Sequence, residues 1–204
     1  MNKGGVFIIS GPSGSGKDTL LIELFKKHKD IKFSISSITR PMREGEVEGE
    51  KYNFISRDKF EQMIKDDLLL EYNVYAGNYY GTPKLPVIDA IENGYDMMIE
   101  VDVNGAKQIR EKLPEAVSIF IMPPSFNELN RRLSGRGTET QEVIDKRMKI
   151  ALSEIERAKE YDYIVVNDDI STAVEDIISV ITNSRLILKR QKHIINEVLE
   201  NVKS

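Results

Sequence analysis

Gly11-Pro12-Ser13-Gly14-Ser15-Gly16-Lys17 follows the short apolar run Val6-Phe7-Ile8-Ile9, and Leu20, Leu21, Leu24 and Phe25 then recur at helical spacing. A strand, a glycine-rich turn and a helix in that order restrict the fold more than any other stretch of the chain. The glycines let successive backbone N–H groups turn toward one centre, and the helix N-terminus adds partial positive charge. Lys17 adds a point charge that reaches the β and γ phosphates of a nucleotide. The three fixed positions arise by chance in roughly one chain in twenty, and the strand–helix context lowers the case for a plain glycine turn further. Position 18 departs from the full pattern. Asp18 stands where Ser or Thr would bind Mg²⁺, and Thr19 comes one residue late.

The rest of the chain repeats the strand–helix rhythm. Residues 95–101, 116–122 and 163–166 read as strands, and 105–113, 126–133 and 141–160 as helices. A last helical stretch begins near Ser171, where Ser-Thr-Ala-Val-Glu supplies a capping pattern. Alternation of this kind predicts an α/β fold of three layers, a central parallel sheet covered on both faces. Residues 33–94 break the rhythm. They are rich in Gly, Tyr and Glu, with short alternating segments such as 68–74 around a helix near 58–65, and read as a small β-rich insert. Gly135-Arg136-Gly137-Thr138 separates two helices as a loop, and residues 189–204 read as an amphipathic terminal helix, a packing or dimer element.

Composition removes whole chemistries. The 204 residues contain no cysteine, which excludes disulfides, thiolate metal sites and cysteine nucleophiles together. His28 and His193, the two histidines, stand in unrelated contexts and are assigned to helix surface, so neither a multi-histidine metal site nor histidine acid–base chemistry is expected. With 33 acidic against 29 basic side chains the net charge is −4, where a nucleic-acid binder shows a basic surplus. Apolar runs reach about five residues, against the roughly 20 of a membrane helix. With no signal-like segment at the start, the expectation is a cytoplasmic protein with neither nucleic acid nor membrane as partner.

Further blocks follow the phosphate loop: Ser36-Ser37-Ile38-Thr39-Arg40-Pro41-Met42-Arg43-Glu44-Gly45-Glu46, then Gly49-Glu50-Lys51-Tyr52-Asn53-Phe54, then Glu71 and Gly77-Asn78-Tyr79-Tyr80-Gly81-Thr82. Asp102, Leu133-Ser134-Gly135-Arg136-Gly137-Thr138-Glu139-Thr140 and Val166-Asn167-Asp168 come after them in order. Over residues 4–185 the chain resembles the guanylate kinases, nucleoside monophosphate kinases of the P-loop fold. The resemblance implies a core of residues 1–34 and 95–204 with a helical lid at about 125–155, and an inserted GMP-binding domain at 35–94. It implies that Gly11, Pro12, Ser13, Gly14, Ser15, Gly16, Lys17, Asp18 and Thr19, with Asn167, bind ATP, the donor that brings Mg²⁺. It also implies that Arg40, Arg43, Tyr52 and Tyr80 hold the phosphate of GMP, with Glu46 orienting the arginines. Two guanidinium forks and two phenols suit a dianionic phosphate. Ser36, Glu71, Thr82 and Asp102 match the positions that read guanine. Guanine offers adjacent N1–H and N2–H donors to one carboxylate, whereas adenine offers an acceptor there and leaves the carboxylate unmatched. Arg132, Arg136 and Arg147 match lid arginines that meet the transferring phosphoryl group, so Lys17, Arg40 and these three carry the catalytic assignment.

Out of context several of these residues read otherwise. Arg40 and Arg43 alone would be surface charges, Tyr79 and Tyr80 ordinary strand residues, and Glu44, Glu48 and Glu50 a solvated acidic face. Asp102, at the end of a strand, also invites a role on Mg²⁺; the resemblance puts it nearer guanine, and that reading is preferred. The expected reaction is ATP + GMP ⇌ ADP + GDP by a monomer or homodimer. Rival readings are a kinase of another nucleoside monophosphate, a non-catalytic module that binds phosphorylated peptides, and a P-loop GTPase. Against them stand Glu71 with Asp102, the retained Lys17 and lid arginines, and the lack of an Asn-Lys-x-Asp motif.

Overall fold

The computed structural model describes residues 3–135 and 140–200, without the side chains of Lys189, Lys192 and His193. The expectations for Arg136 and for the His193 side chain therefore lie outside the described residues. In chain order the first elements are β1 (Val6–Ser10), α1 (Lys17–Lys27), β2 (Ile31–Phe33), β3 (Ser36–Ile38), β4 (Tyr52–Phe54) and α2 (Arg57–Lys65). Next come β5 (Leu69–Tyr75), β6 (Asn78–Pro83), α3 (Lys84–Glu92), β7 (Asp96–Glu100), α4 (Val103–Lys112) and β8 (Val117–Met122). The chain continues through α5 (Phe126–Ser134), α6 (Gln141–Glu156), β9 (Tyr163–Val166), α7 (Ile170–Ser184) and α8 (Leu188–Glu200).

Five strands form a parallel sheet in the order β2-β7-β1-β8-β9. Successive side chains of a strand point to opposite faces, and all five residues of β1 are buried, so β1 builds both sides of the core. Phe7 and Ile9 meet Leu20 and Leu24 of α1 and Ile177 and Ile181 of α7 on one face. Val6 and Ile8 meet Val87 and Ala90 of α3 and Ala106 and Ile109 of α4 on the other. The helix α3, which follows the insert's strands in the chain, thus packs on the parallel sheet. Because β1 is flanked by β7 on one side and β8 on the other, its C-terminal end opens at the point where the strand order reverses.

A second sheet, β4-β3-β6-β5, is antiparallel except for the β3–β4 pair. The β5–β6 pairing sets Glu71 opposite Thr82 and Asn73 opposite Tyr80, with an irregularity between Leu69 and Glu71. Beyond the parallel sheet, Leu129 and Leu133 of α5 interlock with Ile144, Met148 and Ala151 of α6.

Two details differ from the sequence reading. The cap of α7 is Asp169, whose carboxylate accepts from the Thr172 amide at 2.8 Å, and Ser171 lies inside the helix. The long charged helix ends at Glu156, and residues Arg157–Glu160 tighten into a 3₁₀ turn. No helix among the described residues is long and apolar enough to cross a membrane.

Candidate active site

The loop after β1 wraps around its own backbone, the Ser15 amide donating to the Pro12 carbonyl at 3.0 Å. Two of its glycines have no substitute. A Cβ on Gly11 would lie 2.4 Å from the Ile121 carbonyl oxygen of β8. Gly16 has φ +85°, and a Cβ there would lie 2.4 Å from Asn167 Nδ2. Lys17 opens α1 and donates through Nζ to the Gly11 and Pro12 carbonyls at 2.5 and 3.2 Å. Burial pulls the Lys17 ammonium below the ordinary lysine range, against the opposing pull of Glu100, Glu154 and Asp18.

Three elements brace that loop. Arg132 of α5 donates to the Ser15 carbonyl at 3.3 Å and to the Asn167 carbonyl at 3.1 Å. Its Nε is held by Glu128 at 2.7 Å, and the guanidinium groups of Arg131 and Arg132 keep the Glu128 carboxyl at about 2. Asn167, buried after β9, donates its amide to the Ser15 carbonyl at 2.8 Å. From α6, Arg147 donates to Ser13 Oγ at 2.7 Å, and Glu154 comes close to the loop near Ser13 and Lys17. Burial raises the Glu154 carboxyl.

Across the cleft, Arg40 and Glu46 form a two-pronged ion pair, with Nη1 and Nη2 at 2.7 and 2.5 Å from the two carboxylate oxygens. The Arg43 amide donates to the same carboxylate at 2.8 Å, so Glu46 ties both arginine positions together. Hydrogen bonding from Arg40 holds the Glu46 carboxyl at about 2 and drives the Arg40 guanidinium above its ordinary value. Arg40 is only 9% exposed, its guanidinium carbon 5.5 Å from the Tyr52 ring, and the nearby Tyr80 helps raise its pKa.

Deeper in the same cleft Glu71 is 5% exposed and accepts from the Thr82 hydroxyl at 2.7 Å. Desolvation, helped by the Asp102 charge, pushes its carboxyl up to about 7. Asp102 caps α4, one oxygen taking the Asn104 and Gly105 amides at 2.9 and 2.8 Å and the other taking Asn73 Nδ2 at 2.8 Å. Its neighbour in the site is thus Glu71. The carboxylate that faces Lys17 from the end of β7 is Glu100, brought there by the register that pairs Ile9 with Glu100.

These groups share one cleft of about 890 Å³, open between the two sheets. The phosphate loop, Asp18, Thr19, Ser36, Arg40, Arg43, Tyr52, Glu71, Tyr80, Asp102, Arg132 and Asn167 reach its wall; Ser15, Glu46, Thr82 and Arg147 stand behind it, bonded to wall residues or loop backbone. Lys51, Asn73, Glu100 and Glu154 also line the cleft and escaped the sequence reading. Only Glu100 carried a local signal, its place beside Asp102 at a strand end.

A guanylate kinase family model matches residues 3–184. The chain belongs to the guanylate kinase family. It is 45% identical over 197 residues to a guanylate kinase of Clostridioides difficile, covering 97% of this chain and 96% of that one. A guanylate kinase of Neisseria meningitidis serogroup A is 47% identical over 199 residues, 98% and 97% of the two chains. Among solved structures, the guanylate kinase of Anaplasma phagocytophilum superposes with a TM-score of 0.74 at 31% identity, covering 93% of this chain and 90% of the other. That likeness agrees with the mixed α/β architecture around a central parallel sheet.

Proposed function

We propose that this guanylate kinase relative transfers the γ-phosphoryl group of ATP to GMP, giving ADP and GDP, and that the cleft does so by placement and charge alone. The observation that carries the reading is the buried Glu71 carboxylate, bonded to Thr82 beside Asp102, in the same cleft as the Lys17 loop. A carboxylate deprived of water needs donors, and the N1–H and N2–H edge of guanine supplies two. Ser36 and Asp102 flank that edge in this reading. Arg40, Arg43, Tyr52 and Tyr80 take the GMP phosphate; the buried Arg40 Nε, which has no hydrogen-bond partner among the described residues, is a donor left for it.

The segment from Gly11 to Thr19 holds the donor phosphates, with Asn167 toward the base of ATP. Lys17 neutralises charge on the β and γ phosphates. Arg132 and Arg147 come from the lid, assigned to about 125–155, and meet the transferring group together with Arg136. The insert, assigned to residues 35–94, closes through its strands β3–β6 on the core, residues 1–34 and 95–204, against which α3 is already packed, and excludes water that would otherwise hydrolyse ATP. A GMP phosphate oxygen attacks the γ-phosphorus as the bond to the ADP oxygen breaks, and the dianionic acceptor has no proton to surrender. A site without cysteine or histidine is therefore sufficient.

Mg²⁺ bound with ATP would neutralise charge on its phosphates. The Glu100 carboxylate, beside the loop, is the oxygen donor that would meet its waters. The reading places the enzyme in the cytoplasm, as a monomer or homodimer, with nucleotides as its only partners. An ADP-release assay across GMP, AMP, CMP and UMP tests it. GMP alone is expected to support turnover, and Lys17→Ala is expected to abolish it. Equal rates with AMP would overturn the guanine assignment. No release with any acceptor from folded protein would favour a binding module.

A further inference from the structure

Asp18 belongs to the donor loop, yet it stands where that loop's pattern has a hydroxyl, and a carboxylate beside phosphates calls for its own account. In the structure its carboxylate receives an ammonium from the opposite side of the cleft. Lys51 Nζ donates to Asp18 Oδ1 at 2.6 Å and lies 3.1 Å from Glu100 Oε2. The three side chains are 43%, 70% and 15% exposed, so the pair begins at the surface and ends in the cleft floor. Lys51 immediately precedes Tyr52, and its carbonyl accepts from the Ser36 amide at 3.3 Å. Its backbone is therefore fixed in the second sheet, next to acceptor-side residues, while its side chain is fixed on the first helix and on the end of β7. Glu100 and Asp18 outweigh the effect of burial and hold the Lys51 ammonium above its ordinary range.

We propose that Lys51 is a positioning residue for the transfer: reaching from the second sheet to Asp18 and Glu100, it sets Tyr52 and the Arg40–Glu46 arm at working distance from the donor loop. Asp18 is then the core anchor of that tether, which accounts for an acid at this position. The assignment rests on the GMP kinase reading of the cleft. Lys51 touches neither reacting atom in it; its contribution is the separation of the two phosphate sites, to which phosphoryl transfer is sensitive.

Two readouts test the tether. In the first, the GMP and ATP KM values of full-length Lys51→Met and Asp18→Asn proteins are compared. A partly exposed ion pair predicts a three- to fivefold rise in the GMP KM for each. Coupled partners do not add, so the double variant is expected to match the singles. Charge reversal, Lys51→Glu with Asp18→Lys, again sets one ammonium between two carboxylates and is expected to recover most of the loss seen in Lys51→Glu. In the second, because the chain has no cysteine, Asp58→Cys and Glu175→Cys on exposed faces of α2 and α7 accept a fluorophore pair without interference. Lys51→Met and Asp18→Asn are expected to widen the energy-transfer distribution, and the reversed pair to narrow it again. Additive KM effects with an unchanged distribution would overturn the proposal. So would an altered Mg²⁺ requirement in Asp18→Asn with none of these changes in Lys51→Met. If the wild-type chain released no ADP with GMP, the functional reading would fall, and the energy-transfer measurement would still decide the tether.

Discussion

The Thr82 hydroxyl donates to Glu71 Oε1 at 2.7 Å, across the strand register that sets the two residues opposite one another. That single bond is set against the loss of nearly all water around the carboxylate, which is why the Glu71 carboxyl rises from 4.5 to about 7. An acid whose folded-state pKa is raised binds its proton more tightly folded than unfolded. Stability from this group therefore falls as pH climbs from about 4.5 to 7 and is level above, by up to about 3 kcal/mol. GMP needs the ionised form, so its affinity should move the opposite way and improve through pH 7. Denaturation midpoints and GMP KM values at pH 5.5 to 8 check both. Glu71→Gln is expected to flatten each profile and to weaken GMP tenfold or more, and profiles parallel to wild type would count against the assignment.

Glu46 touches no part of the expected substrate, yet it holds both prongs of Arg40 and the amide of Arg43. Replacing it by alanine leaves a buried guanidinium without its counter-charge and lets the arm between β3 and β4 drift. The expected signature is a GMP KM raised at least tenfold with the ATP KM nearly unchanged. Glu46→Gln keeps one acceptor and should fall between the two. A Glu46→Ala protein with wild-type GMP kinetics would show that the arm is ordered by other contacts.

On the donor side Gly16 stands in a left-handed backbone conformation against the Asn167 side chain. Alanine there meets backbone strain of about 1 to 2 kcal/mol and a clash with the Asn167 amide. Gly16→Ala is expected to lose more than tenfold in kcat/KM for ATP. Adding Asn167→Ser relieves the clash alone, so a partial recovery is expected. Full recovery would mean that the backbone strain carries no kinetic weight.

The parts of this site legible in the sequence are those whose residues are close in the chain. The phosphate loop announces itself because strand, glycines and lysine lie within 12 residues of Val6, and Arg40, Arg43 and Glu46 fall within seven. Glu100, Glu154 and Lys51 enter the site through tertiary geometry. The Ile9–Glu100 register, the docking of α6 on Ser13 and the reach of Lys51 to Asp18 have no local spacing to betray them. The α7 cap failed for a different reason. Asp169 and Ser171 are both good caps two residues apart, and the choice falls to whichever side chain meets an amide three residues on, which is Asp169 with Thr172.

At the N-terminal end of the parallel strands, opposite the cleft, Asp96 begins β7 as a carboxylate only 5% exposed. It accepts from the Gly5 amide at 2.7 Å and from Arg185 at 2.7 Å, with Arg190 of α8 3.9 Å away. The group ties the start of β1 and the last two helices to one point. Asp96→Ala strands a buried amide and leaves two guanidinium groups facing each other, at a cost of about 3 kcal/mol. For a chain of 204 residues this corresponds to a melting temperature lower by roughly 6 to 12 °C. Asp96→Asn keeps the bond from Gly5 and loses only the charge, so about half that drop is expected. Both KM values should stay within twofold of wild type, since Asp96, at the N-terminal end of β7, does not line the cleft. An unchanged melting temperature in Asp96→Ala would show that α7 and α8 are held by their other contacts, among them Arg190 to Ser184 and to the Lys3 carbonyl.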